Sequence, residues 1–477
     1  MKHLRGVPRE QKLLLPEAVE DYVTPDAPVR FIDAFVEKLD LRALGFGKAV
    51  APDTGRPPYD PGDLLRLYLY GYLNRIRSSR LLEKECIRNL EVIWLLRNLR
   101  PDFKTIADFR RDNKKPLHQT CREFTLLCRK LNLFGGELVA IDGSKFRAVN
   151  AKDKNFNDKK LRELIAGIDA KIEKYLEELD DGDDHEPPGE KLSKEALQEK
   201  IAALQERKDE YEELTGQLDE EDKQISTTDP DAKLMHTRDG AQVCYNVQSA
   251  VDAKHKLIVE HEVVNEVVDY QQLSSMARAA KETLGVETMN VVADKGYYSN
   301  FEVQRCVENG ITPYMEKSNT SANTKLGLYG KNQFQYDAAK DVYVCPGNKE
   351  LTYRFPTLEK DRELRYYRAR GCQSCALKSH CTRNQANRTI TREASEHLME
   401  EMAARVKRRR DIMKSRKALV EHPFGTIKRG MGMGYFLCKG LEAVRAEMSL
   451  TVLAYNLKRV LNILGMKELM NAVQTPA

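Results

Sequence analysis

At 477 residues, with 41% apolar and 32% charged positions, the chain has material for packed cores and is too long for one, so two to four folded units are expected. The opening MKHLRGVPREQK holds no apolar run of signal-peptide length, and later apolar runs are soon broken by charge, which argues against secretion and against membrane spanning. The net charge of +5 is unevenly spread: Asp158 to Lys223 carries 11 Lys and Arg against 23 Asp and Glu, a local −12 that leaves +17 on the remainder, and such a basic body points to a polyanionic partner.

In chain order, residues 1–135 read as an all-α domain. Leu64, Leu67, Tyr68, Gly71 and Tyr72 keep i, i+3, i+4 spacing, and PDFKTIADFRRDN suggests a capping box from Thr105 to Asp108. Short helices bearing arginines suit a helix-turn-helix-like DNA reader and an ordinary solvated bundle equally.

The periodicity changes at GELVAIDGSKF, a short buried strand. Two strands around a turn at Asp252 to His255 follow, then a helix in YQQLSSMARAAKETLG, a strand in MNVVADKGYY, a short helix in FEVQRCVENG and a strand in ITPYME. Three strands, helix, strand, helix, strand is the element order of an RNase H-like mixed sheet. The expected class is therefore α+β, with a catalytic core over 136–316 and 396–465. Two insertions interrupt it: an acidic helical hairpin over 151–225, broken at DDGDDHEPPGEK, and a Cys-containing segment over 317–395. Beyond these, EEMAARVKRRRDIMKSRKALVEH reads as one basic helix, and LEAVRAEMSLTVLAYNLKRVLNIL as a helix with Leu441, Val444, Met448 and Val452 on its core face.

Asp142 ends the first of these strands and Asp294 the fourth. In an RNase H-like sheet those strands are neighbours, so the two carboxylates would emerge together, and close like charges make sense with a cation between them. Glu421, from a late helix, is the candidate third ligand, and hard oxygen donors with phosphate substrates suit Mg²⁺, or Mn²⁺, as a pair roughly 3.5 to 4 Å apart. Taken singly, Asp followed by Gly is as readily a turn, and Glu421 a solvated helix residue.

AIDGSKF, VVADKGYYSN and VEHPFGTIKRGMG, in this order and within this element sequence, resemble the blocks of bacterial insertion-sequence transposases of the DDE class, in the subgroup with a VEHPFG block around the catalytic Glu. The likeness runs from roughly residue 55 to residue 462 and is weakest in the two insertions. It implies that Asp142, Asp294 and Glu421 are the triad, with separations of 152 and 127 residues lengthened by the insertions. It implies double-stranded DNA partners, namely terminal inverted repeats and target, a homo-oligomeric synapse, and a cytoplasmic, nucleoid-associated bacterial protein with no membrane. Cleavage and strand transfer would proceed without a covalent protein intermediate.

Related transposases carry Tyr, Arg, Glu and Lys around the third carboxylate. Lys428, seven residues after Glu421, matches; the Arg position is held by Lys417 with Arg416 beside it, and the Tyr position by Lys414. Pro423 is expected to end or kink the helix just after Glu421.

Eight of the thirteen residues from 405 to 417 are Lys or Arg, including Arg405, Lys407, Arg408, Arg409 and Arg410, a phosphate-contacting face. Of Tyr297 and Tyr298, one is expected in the core and Tyr298 against a DNA base. Most of the ten cysteines are scattered, which fits a reduced compartment. Cys345, Cys372, Cys375 and Cys381, with His380 as a substitute ligand, have spacing compatible with a structural Zn²⁺ site and with free thiols alike. Two rivals remain at this stage, an RNase H-like nuclease or resolvase without strand transfer and an inactive transposase-derived DNA-binding regulator.

Overall fold

The computed structural model describes residues 18–51, 54, 57–181, 194–218, 224–317, 322–359 and 362–474. Most of the acidic breaker DDGDDHEPPGEK lies outside them.

Six helices come first: α1 (Pro28–Glu37), α2 (Pro61–Leu73), α3 (Ser79–Arg88), α4 (Leu90–Leu95), α5 (Phe103–Asp112) and α6 (Lys114–Lys130). Helix α2 starts where Asp60 accepts a hydrogen bond from the Gly62 N–H at 2.6 Å, with Pro61 in the first helical position. It is buried from Pro61 to Tyr72, as a helix surrounded by others must be. Helix α5 corrects the sequence reading: its cap is Asp102, which accepts from the N–H groups of Lys104 and Thr105 at 2.9 Å each. Thr105 is thus inside the helix, because Asp102 offers an equally good cap three residues earlier.

The chain then enters strand β1 (Leu138–Arg147). Two short strands, β2 (Asn155–Phe156) and β3 (Ile225–Ser226), pair antiparallel at the base of a helical hairpin made of α7 (Asp158–Asp181) and α8 (Lys194–Gly216). That excursion has its own small core of Phe156, Leu161, Ile168 and Tyr211. The sheet resumes with β4 (Lys233–Thr237), β5 (Gly240–Asp252) and β6 (Ile258–Val264). Helix α9 (Leu273–Leu284) follows and stops at Gly285, whose φ of +68° is the left-handed conformation glycine adopts most readily. Strand β7 (Met289–Val292), helix α10 (Asn300–Glu308) and strand β8 (Ile311–Tyr314) complete it.

Strand β5 runs antiparallel to β1 on one side and to β6 on the other, with β4 paired to its opening residues; β1, β7 and β8 run parallel. The six-stranded sheet is mixed; its path reads β4-β5-β1-β7-β8, with β6 also paired to β5.

The second insertion is more ordered than its composition suggested. After α11 (Ala322–Lys325) come β9 (Gln335–Asp337), β10 (Val342–Val344), β11 (Glu350–Glu359) and β12 (Arg362–Ala369), then α12 (Lys378–Cys381) and β13 (Thr389–Glu393). The five strands form one antiparallel sheet over Tyr343, Leu351, Tyr367 and Ile390.

The basic segment expected as one helix is two, α13 (Glu396–Arg408) and α14 (Arg410–Gly425), broken at Arg409, where φ is −112° and ψ 56°. Pro423 does not end α14. The helix continues through it, and the next turn, Thr426–Gly430, is wound as a π-helix, the adjustment a missing backbone donor and its ring invite. Helix α15 (Leu441–Gln474) closes the fold, bent at Gly465.

One apolar cluster joins Phe31, Tyr68 and Phe124 of the N-terminal helices to Tyr245 and Val247 of β5 and to Leu450, Leu453 and Tyr455 of α15. The opposite face of the sheet packs on α9 and α10. Among the described residues no helix is long and apolar enough to cross a membrane.

Candidate active site

The alternation of β1 and β7 places the two aspartates. Val139, Ile141, Val291 and Ala293 belong to the cluster under α9, whereas Ala140 and Val292 pack with Ile412, Leu419 and Val420 of α14. Period two then puts Asp142 and Asp294 on the α14 side, each next in its row. The parallel register pairs 138 with 290, 139 with 291 and 140 with 292, and carrying that offset two residues past the end of β7 sets Asp294 beside Asp142, which is still inside β1; adjacent strands lie about 4.8 Å apart.

Their electrostatics agree with that closeness. Burial pushes the Asp142 carboxyl up to about 6; the Arg416 guanidinium works against the shift, and the charges of Asp294 and Asp269 add to it. Asp294 is also a turn residue, since its Oδ1 accepts from the Gly296 N–H at 2.6 Å and caps the short turn Lys295–Tyr297. The Asp142-Gly143 pair is not a turn: it lies within β1.

Glu421 lies on α14 with its side chain 55% exposed, and its Oε1 stands 3.9 Å from Lys417 Nζ. Arg416 shares the inward face, but five residues at about 100° each carry Glu421 roughly 140° around the helix. The structure thus brings Asp142, Asp294 and Arg416 together and leaves Glu421 and Lys417 paired at the rim.

Lys428, beyond the π-turn, reaches back to β1. Its Nζ donates to Ser144 Oγ and to the Lys145 carbonyl, at 2.6 Å each, and lies 4.4 Å from the Phe146 ring centre. Ser144 is two residues from Asp142 and so on the same face. Burial pushes the Lys428 ammonium down to about 8. No helical arithmetic could have placed it, because the π-turn resets the phase.

Tyr297 is fully buried, and Tyr298 is partly buried with a hydroxyl that has no hydrogen-bond partner. Lys407, Arg408 and Arg410 are exposed around the α13–α14 break. Arg409 pairs with Asp411 at 2.9 Å, and Arg405 lies 3.9 Å from Glu401 with its Nε and Nη2 buried and without a hydrogen-bond partner.

Cys345, Cys372, Cys375 and Cys381 line a single cavity in the small sheet domain, together with Gly347 and Arg388. A Cβ on Gly347 would stand 3.6 Å from Cys375 Sγ and 3.7 Å from Cys345 Sγ, and the Lys349 N–H donates to Cys345 Sγ at 3.3 Å. His380 is exposed and does not line the cavity. Among the described residues no three His, Cys, Asp or Glu side chains are grouped closely enough, as placed, to hold a metal ion.

Sequence reasoning missed Asn246, Gln248 and Asp269, polar side chains that meet behind Asp142. The one signal available was the run of Asn and Gln at alternate positions in an otherwise apolar strand.

Two family profiles match the chain, "Transposase domain (DUF772)" over residues 17–112 and "Transposase DDE domain" over residues 344–461. Glu421 and Lys428 fall within the second; Asp142 and Asp294 lie between the two. Among solved structures, a cryo-EM structure of a piggyBac transposase synaptic complex with hairpin DNA aligns at 8% identity with a TM-score of 0.35, over 94% of this chain and 79% of that one. No curated protein matches.

Proposed function

Since the chain is an insertion-sequence transposase of the DDE class, an enzyme of metal-dependent DNA cleavage and transfer, we propose that Asp142, Asp294 and Glu421 are its catalytic carboxylates, on an RNase H-like core. The observation that carries this reading is the β1–β7 register, which brings Asp142, inside β1, beside Asp294, two residues past the end of β7, on the face that α14 covers. The strand path β4-β5-β1-β7-β8 with β6 beside β5, antiparallel on one side of β1 and parallel on the other, supports the fold.

The two aspartates fit a divalent cation: oxygen donors only, close together, one of them held reluctant to ionise while no positive charge lies between them. Mg²⁺ or Mn²⁺, as a pair, would supply the polarisation of the phosphodiester and the activation of the attacking oxygen. Glu421 completes the set by exchanging its exposed contact with Lys417 for an inward one. Arg416 offsets the negative charge at Asp142 and orients it. Lys428 offers its ammonium to a phosphate on the same face, exchanging the Ser144 hydroxyl for a stronger charge-assisted partner. Tyr298, with its free hydroxyl, and Arg408, at the exposed α13–α14 break, flank the DNA path. The helical region up to residue 135 reads the terminal inverted repeats, and the chain works as a homo-oligomer that holds both ends.

The test uses purified protein, a linear DNA with the gene's native flanks, and a supercoiled target. New 3′ ends at the repeat tips, dependent on Mg²⁺ or Mn²⁺ and followed by joining to the target, are expected; scrambled flanks should give none. Cleavage without joining would make the chain a nuclease and overturn the strand-transfer step.

For the four late cysteines we propose a structural zinc ion. They come from three places, Cys345, the turn that holds Cys372 and Cys375, and Cys381 of α12, yet line one cavity; Gly347, beside Cys375 and Cys345, leaves room, and a domain with so few buried residues gains most from a metal staple. Small side-chain rotations are required to close the four sulfurs on one point. Purified protein is expected to contain about one zinc per chain by elemental analysis, falling to none in Cys372→Ser/Cys375→Ser; a zinc-free native protein would return the four to free thiols.

A further inference from the structure

Behind the sheet face that bears Asp142 lies a closed polar network. The β1–β5 register sets Gly143 opposite Gln248 and Lys145 opposite Asn246, so these four positions share the other face. Asp269, in the loop before α9, reaches into it. Its Oδ1 accepts from Asn246 Nδ2 and Gln248 Nε2, at 2.7 Å each, and lies 3.8 Å from Lys145 Nζ. That ammonium is buried with no hydrogen-bond partner, so Asp269 supplies its nearby countercharge.

Two features tie this network to the carboxylates in front. An ideal Cβ at Gly143 would stand 2.5 Å from Asp269 Oδ1 and 2.6 Å from Gln248 Nε2, so the residue after Asp142 must be glycine for Asp269 to come so near the strand. On the other side, the Tyr297 hydroxyl donates to Gln248 Oε1, and Tyr297 ends the turn that Asp294 caps. Gln248 has one amide, and the acceptor-only carboxylate fixes which way it points: NH₂ toward Asp269, carbonyl toward Tyr297.

We propose that Asp269 is a positioning residue that sets the separation of Asp142 and Asp294, touching the first segment at Gly143 and holding the second through Gln248 and Tyr297. The inference rests on the reading of those aspartates as metal ligands. Asp269 itself stays behind the sheet, where its work is to keep Asp142 and Asp294 at the spacing a divalent ion needs.

Mn²⁺ binding to the full-length protein, followed by electron paramagnetic resonance without DNA, tests this independently of turnover. Asp269→Ala deletes the shared acceptor, which frees the Gln248 amide to turn and leaves the Tyr297 hydroxyl without a fixed acceptor. Mn²⁺ affinity is expected to fall about 10-fold or more in Asp269→Ala, in Tyr297→Phe and in Gly143→Ala, with cleavage showing a lower kcat and an unchanged KM for DNA. Should Asp269→Ala not fold, Tyr297→Phe, which deletes one hydroxyl from an otherwise packed ring, decides. Wild-type affinity in a folded Tyr297→Phe or Asp269→Ala protein overturns the positioning role alone. A wild-type protein that binds no Mn²⁺ overturns the metal-ligand reading and the positioning role with it.

Discussion

Asp142→Asn is expected to lower DNA cleavage by roughly 10³-fold or more while making the metal-free protein more stable at neutral pH. The second half follows from the electrostatics of the site. The Asp142 carboxyl is raised from 3.8 to about 6, first by burial and then by the charges of Asp294 and Asp269, against the pull of Arg416. A group with a raised folded value helps stability fully below its unfolded value and ceases to as pH climbs through the folded one. The metal-free wild type should thus lose about 2–3 kcal/mol between pH 4 and pH 7.5 through this group. The asparagine variant, with nothing to ionise, should not, so it should melt higher at pH 7.5 and equally at pH 4. Saturating Mg²⁺ should reverse the order at neutral pH, because the cation rewards the charged form. Melting curves at both pH values with and without Mg²⁺, beside a cleavage gel, make the check. Cleavage within a few-fold of wild type, or an asparagine variant that melts lower at pH 7.5 without metal, would remove Asp142 from the site.

The largest stability loss is expected from Glu447→Ala. Glu447 of α15 is fully buried and accepts from Arg77 Nη1 at 3.2 Å, from the Leu437 N–H at 3.0 and 2.9 Å, and from the Cys438 N–H at 2.9 Å. Arg77 sits in the turn between α2 and α3 with only 7% of its side chain exposed, donates 2.7 Å to the Tyr435 carbonyl and stacks 4.6 Å from that ring's centre. Removing the carboxylate strands a buried guanidinium and two backbone donors, a loss of about 3–5 kcal/mol. Glu447→Gln keeps one acceptor and should cost less. Arg77→Ala in the Glu447→Ala background should cost less than Arg77→Ala alone, since the stranded partner is then gone. A Glu447→Ala protein within about 1 kcal/mol of wild type in denaturant unfolding would show that water takes over the role of the carboxylate.

Both residues show where the sequence was readable. The Asp142 and Asp294 strands were legible because short β-branched runs end at each carboxylate, and their neighbours on the sheet followed from element order. Glu447 was not, because a lone glutamate inside an apolar helical stripe looks like an edge residue until Arg77, 370 positions away in sequence, is seen beside it. The same limit hid the Asp269 network, whose members are far apart in the chain and carry no motif. The helix break at Arg409 was hidden by a run of cations with uniform helical propensity. Pro423 misled in the other direction: local chemistry predicts a stop, but Leu419, Val420 and Phe424 are buried on the core, and tertiary packing carries the helix past its missing bond. In the small sheet domain, Val342, Tyr343 and Val344 form an apolar, β-branched and aromatic run as a strand should, but charge and turn residues on either side outweighed three positions.

The single core shared by the N-terminal helices, β5 and α15 has a consequence in time. Phe31, Tyr68 and Phe124 leave the ribosome early, yet the residues that bury them, Leu450, Leu453 and Tyr455, are made 326 to 424 positions later (450 − 124 and 455 − 31). At about 5–20 residues per second the first helices wait roughly a quarter of a minute to nearly a minute and a half for their last partners. A message cut short therefore yields N-terminal helices whose apolar faces have not met the α15 residues that cover them.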